Sequence, residues 1–105
     1  MNKEDQIAVL KKAKAEMIRE YRIQHTHRGL CYYISYQLAS LIETHNRNDY
    51  LNIPIYIPLF SRENAKRFAS EEENFMCTYW FFAGNSKSRI KFINWMIKEL
   101  KKGNV

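Results

Sequence analysis

The stretch Thr78-Tyr79-Trp80-Phe81-Phe82 constrains this chain more than any other feature. Four large rings in succession need cover, and they break at Ala83-Gly84-Asn85 directly before a basic amphipathic segment starting near Ser86. Residues 75–82 read as a β-strand, apolar on both faces and rich in aromatics, with both faces covered. The same rings, followed by a glycine turn, a helix start and Arg89, also suit the floor of a pocket for a flat anionic ligand. The sequence leaves both open.

The rest of the chain is mostly helical in pattern. From about Lys3 to Ile23, the residues Ile7, Leu10, Met17, Ile18 and Tyr21 recur at near-helical spacing, which predicts a helix with one narrow apolar stripe, capped by Asn2 with Asp5. Gln24 to Gly29 reads as a polar connection. Leu30, Ile34, Leu38 and Leu41 then mark a second helix running to about Thr44. Tyr32, Tyr33 and Tyr36 surround that stripe, either as the core edge or as rings offered to a ligand.

After turn chemistry at residues 46–49 comes the extended apolar run Leu51 to Phe60. Pro54 and Pro58 lie four apart, so a strand here has both missing amides on one edge and is an edge strand. Ser61 caps a short helix with Glu63 in its first turn and Ala65, Phe68 and Ala69 as its apolar face. Glu71-Glu72-Glu73 reads as a solvated loop. Ile90, Ile93, Ile97 and Leu100, widened by Phe92 and Met96 with Trp95 at the border, form the stripe of a last helix. The expected fold is therefore α+β: a mostly helical single domain with a small two-stranded sheet, in the order helix, helix, strand, helix, strand, helix. One compact domain spans 1–105, with a basic helix and connection at 1–27, the core at 28–102 and a frayed tail at 103–105.

The net charge of +6 is unevenly placed. Residues 1–28 carry seven Lys/Arg against four Asp/Glu, residues 29–85 four against six, and residues 86–105 six against one, which sums as +3, −2 and +5. If the two terminal segments pack side by side, they make one positive face suited to phosphate or nucleic acid, although basic helix surfaces also serve solubility alone. Cys31 and Cys77 lie in apolar settings and read as buried thiols. No run approaches the roughly 20 apolar residues of a membrane span, so a cytoplasmic protein without membrane contact is expected.

Catalytic signatures are missing. Gly84-Asn85-Ser86-Lys87-Ser88 lacks the second glycine of a phosphate loop, which leaves helix-start amides with Lys87 and Arg89 as a possible anion site. His25, His27, Cys31, His45 and Cys77 show no paired ligand spacing, so no metal and no cofactor are expected. Cys31 falls on or beside an apolar stripe, as a structural thiol would. His25, His27 and Glu63 have no specified mutual geometry, so no residue is assigned a catalytic role and a non-enzymatic protein is expected. The charge and an aromatic content of 14% match the recipe of cationic groove plus stacking platform. Trp95, Tyr36 and Met96 are candidate anchors for a protein interface.

Arg28-Gly29-Leu30-Cys31, Pro58-Leu59-Phe60-Ser61-Arg62 and Tyr79-Trp80-Phe81, followed by Arg89-Ile90 and Phe92-Ile93, resemble small uncharacterised proteins of tailed bacteriophages. The resemblance covers about two thirds of the chain, from Arg28 to the last helix. It implies a host-defence antagonist, which either blocks a nuclease complex or sequesters a nucleotide-derived immune signal. Nuclease-blocking decoys are often acidic, and this chain is basic and aromatic. Sequestration of a cyclic nucleotide or cyclic ADP-ribose-like molecule is therefore the first expectation. Tyr32, Tyr33, Phe60 and Trp80 would stack the base, and Arg28, Arg62 and Arg89 would hold the phosphates. Enclosing such a ligand in a small domain calls for a homo-oligomer. The alternatives are a nucleic-acid binder with an open positive face, and a protein-interaction inhibitor of a host defence complex with an exposed apolar patch.

Overall fold

Asn2 starts the first helix as its sequence suggests: its side-chain oxygen accepts from the Asp5 amide at 2.7 Å, and Glu4 and Asp5 place negative charge in the first turn. The computed structural model describes residues 1–25, 28–42, 52–68 and 86–103. Within them run α1 (Lys3–Gln24), α2 (Leu30–Leu41), the single-turn α3 (Ile53–Tyr56), the short α4 (Arg62–Lys66) and α5 (Ser86–Lys102). α1 ends at His25, which adopts the left-handed conformation (φ 59°) and returns its amide to the Tyr21 carbonyl.

α1 is the common support, contacting both α2 and α5, while α3 rests on α2. That double duty explains a difference from the expected stripe. Val9, Leu10, Ala13 and Met17 are the buried positions, Ile7 and Ile18 are only half-buried, and Tyr21 is exposed. A helix with two neighbours buries a broader arc than one packed along a single seam, and small Ala13 permits close approach. α2 buries Leu30, Cys31, Tyr33, Ile34 and Leu38, whereas Leu41 at its end is exposed. α5 buries Phe92, Ile93, Met96, Ile97 and Leu100, as its periodicity predicts.

The α+β expectation is overturned. Among the described residues there is no strand, and the domain there is all-helical. The proline-bearing run is the decisive case. A strand would put Ile53, Ile55 and Ile57 on one face, yet Ile53 and Ile57 are fully buried while Ile55 is 73% exposed. That is the i, i+4 pattern of a helical turn, closed by the Ile57 amide on the Ile53 carbonyl at 2.7 Å. Pro54 sits in the first helical turn, where its fixed φ fits and no amide is required. Pro58 follows in the next turn, spanned by a bond from the Phe60 amide to the Ile57 carbonyl. The second expected strand, residues 75–82, lies outside the described residues.

Ser61 caps α4 as expected, its hydroxyl accepting from the Asn64 amide at 3.2 Å. The segment is fastened to α5 by rings. Phe92 stacks on Phe60 (centroids 5.6 Å) and on Phe68 (5.4 Å), and Phe68 meets Trp95 at 5.4 Å. Arg67 covers the outer side, its guanidinium 4.9 Å above the Trp95 ring. No helix among the described residues is long and apolar enough to cross a membrane.

Candidate nucleic-acid interface

Opposite its buried arc, α5 carries a line of polar residues. Lys87, Lys91, Asn94, Lys98 and Lys101 are all exposed and follow one another by four, three, four and three, so they share one face of the helix. At 1.5 Å per residue the line extends about 21 Å. Lys14 of α1 joins it at the middle, where its ammonium donates to the Asn94 side-chain oxygen at 2.7 Å. One guanidinium nitrogen of Arg89 donates to the Arg28 carbonyl at 3.4 Å, which places the start of α5 beside the segment that follows α1. The two helices therefore run antiparallel, and the basic ends of the chain do pack side by side.

The acidic groups nearby are engaged elsewhere. Glu16 pairs with Arg19 at 2.9 Å, and that hydrogen bond holds its carboxyl below the usual carboxylate range. Glu20 faces Arg28 and the Tyr33 hydroxyl. Glu99 lies on another side of α5, 3.8 Å from Lys102. Among the described residues, no carboxylate stands at ion-pair distance from Lys14, Lys91, Lys98 or Lys101. At these four lysines the face presents positive charge with no carboxylate beside it among the described residues, and its chemistry suits a row of phosphates.

A second cluster forms at the start of α2. The Arg28 guanidinium lies 4.2 Å above the Tyr32 ring, and Tyr32 is stacked on Tyr36 at 6.4 Å with 27° between the planes. Tyr33 meets Tyr32 edge-on and is itself buried. Its hydroxyl accepts from the Arg28 amide and donates to Glu20, each at 2.9 Å, and burial pushes its pKa up to about 12. Tyr33 is thus the core edge that supports the cluster, while Tyr32 and Tyr36 offer ring surface to solvent.

Of the seven ligand-binding candidates, Arg28, Tyr32, Tyr33 and Arg89 come together here, but only Arg28 and Tyr32 are exposed. Phe60 is 2% exposed and stacked in the core, so it presents no face to a ligand. Arg62 is the exposed first residue of α4. Trp80 lies outside the described residues. Arg89 is fully buried, because position 89 falls on the same helix face as Phe92, Ile93 and Met96. The helix-start anion site that paired Lys87 with Arg89 is therefore not formed by those side chains: one points out and the other in. Burial raises the Cys31 thiol well above its ordinary pKa, which keeps it protonated and inert.

Charge partition of the sequence pointed to the basic face, but not to Lys14, Lys91 and Asn94 as its members. The repeated four-three spacing through Lys87, Lys91, Asn94, Lys98 and Lys101 carries that information. Tyr36, read from sequence both as a ring beside Tyr32 and Tyr33 and as an interface anchor but not among the ligand-binding candidates, stacks on Tyr32 by its i, i+4 spacing. Among known proteins, the chain matches no family model, no curated protein and no solved structure.

Proposed function

We propose that this protein is a non-enzymatic nucleic-acid binder that holds a phosphate backbone on the lysine face of α5 and α1. The observation that carries this is the line of exposed lysines on α5, joined by Lys14, in which no carboxylate among the described residues stands at ion-pair distance from Lys14, Lys91, Lys98 or Lys101. Five lysines meeting phosphates release counterions, so the slope of log K against log salt is expected near roughly −4 to −5. Binding to mixed-sequence DNA and RNA should weaken by about 10²–10³-fold between 50 and 200 mM salt, measured by fluorescence anisotropy. Replacing Lys91 and Lys98 together by Gln should reduce the magnitude of that slope by about 2. No detectable binding at low salt, or a slope unchanged in the double variant, sinks the assignment.

The Arg28–Tyr32–Tyr36 cluster favours a second reading, the sequestering of a nucleotide-derived signal. A guanidinium above exposed stacked rings supplies phosphate and base contacts within one helical turn. Enclosing a ligand on so open a surface needs a second copy, so a homo-oligomer is proposed with it. A panel of cyclic dinucleotides and cyclic ADP-ribose isomers should then raise the melting temperature of the wild type and not of Arg28→Ala. A panel with no shift in the wild type removes this second reading. The resemblance to phage proteins makes counter-defence the biological role proposed for either activity.

A further inference from the structure

We infer that the ligand of the α5–α1 face is double-stranded and is held without regard to its base sequence. This rests on the nucleic-acid reading above and narrows it. The first ground is the make-up of the face among the described residues. A single strand is ordinarily held by rings on which successive bases stack, with a basic groove following the backbone. Between Lys87 and Lys101 the exposed line contains only ammonium groups and one amide. The rings of α5 are turned away: Phe92 is fully buried, and Trp95 lies in the cluster with Phe68, under the Arg67 guanidinium. Tyr32 and Tyr36 belong to α2, where Arg28 already lies on the Tyr32 ring.

The second ground is shape. A helix backed by α1 holds its lysines on a straight line about 21 Å long, one turn apart except across Asn94, where Lys91 and Lys98 are two turns apart. A duplex of that length spans about six base pairs and carries about twelve phosphate charges along a rigid axis. A flexible strand, with no ring among the described residues of this face to stack on, would have to be straightened against its own chain entropy to meet the same charges. The acidic first turn of α1, Glu4 and Asp5, lies toward the Lys101 end because the helices are antiparallel. The contacts therefore centre on Lys87, Lys91, Lys98 and Lys14.

The third ground is the absence of a reading group. Bidentate arginine and amide side chains discriminate base edges most sharply; lysine can also donate to guanine, but as a compact point charge it meets phosphates without that geometric demand. The only amide on the line is Asn94, and its oxygen is taken by Lys14. The lysines are then left to position a backbone.

The test uses the full chain with two unrelated 20-base-pair DNA duplexes and each of their separated strands, by anisotropy at one fixed low salt. The two duplexes should bind within about threefold of each other, and each about tenfold or more tighter than its own strands. That preference should disappear in Lys91→Gln/Lys98→Gln, whose melting temperature should match the wild type because both positions are exposed. Strands that bind as tightly as duplexes overturn this inference and leave nucleic-acid binding standing. So does a difference of more than about tenfold between the two duplexes. A duplex preference that survives in the double variant places the duplex site elsewhere and also overturns it. Binding to neither form defeats the parent proposal instead.

Discussion

Phe92→Ala should lower the free energy of unfolding by about 3–5 kcal/mol, the range for deleting a buried aromatic ring. The side chain is fully buried and is the hub of the ring cluster, with centroids 5.6 Å from Phe60, 5.4 Å from Phe68 and 6.2 Å from Trp95. Its removal opens a cavity and also releases the ring contacts that tie residues 60–68 to α5. Phe92→Leu keeps most of the volume and should cost less, about 1–2 kcal/mol. Urea denaturation of both variants provides the measurement. A loss below about 1 kcal/mol for the alanine variant would show that the segment is held to α5 by other contacts.

Arg89→Ala should be nearly as damaging, at about 3–5 kcal/mol, whereas Arg28→Ala should change stability by less than about 1 kcal/mol. The sequence alone suggests one role for both arginines, a phosphate contact. Arg89 instead lies fully buried beneath the turn into α2, donating to the Arg28 carbonyl, with the Cys31 thiol in its electrostatic field. Arg28 keeps its guanidinium at the surface, over Tyr32. Arg89→Met retains much of the volume without a charge to bury, so it should recover part of what alanine loses. A well-folded Arg89→Ala protein with wild-type stability would contradict the structural role assigned to this residue.

The contrast between these two arginines marks where the sequence is legible and where it is not. Helical period alone places α1, α2 and α5, and the hydroxyl of Ser61 ahead of Glu63 is enough to mark α4. These are local signals, set by propensity, capping and one apolar stripe. The run from Leu51 to Phe60 is different. Its apolar residues satisfy period two and period four at once, and only burial of Ile53 and Ile57 with exposure of Ile55 separates them. Pro54 is compatible with an edge strand and with a first helical turn, so it could not decide.

Arg89 was legible in principle. It stands three and four residues before Phe92 and Ile93, in register with the core, and only its charge argued for the surface. Phe60 is the converse case. An aromatic next to prolines and arginines looks exposed until Phe92 and Phe68 arrive from distant parts of the chain. The lysine face combines both situations. Its α5 line is a local spacing, but its union with α1 depends on tertiary contact between segments 80 residues apart.

That last distance also governs when the face can exist. Lys14 is made 80 residues before Asn94, so the two cannot meet until the segment between them has been synthesised. The pairing of α1 with α5 is a long-range closure, which in folding is entropically slow and forms late compared with the local turns of α2 or α4. α5 lines up its own lysines, but Lys14 joins them only when α5 docks on α1, so the full set of cations for a rigid polyanion would be acquired with that docking.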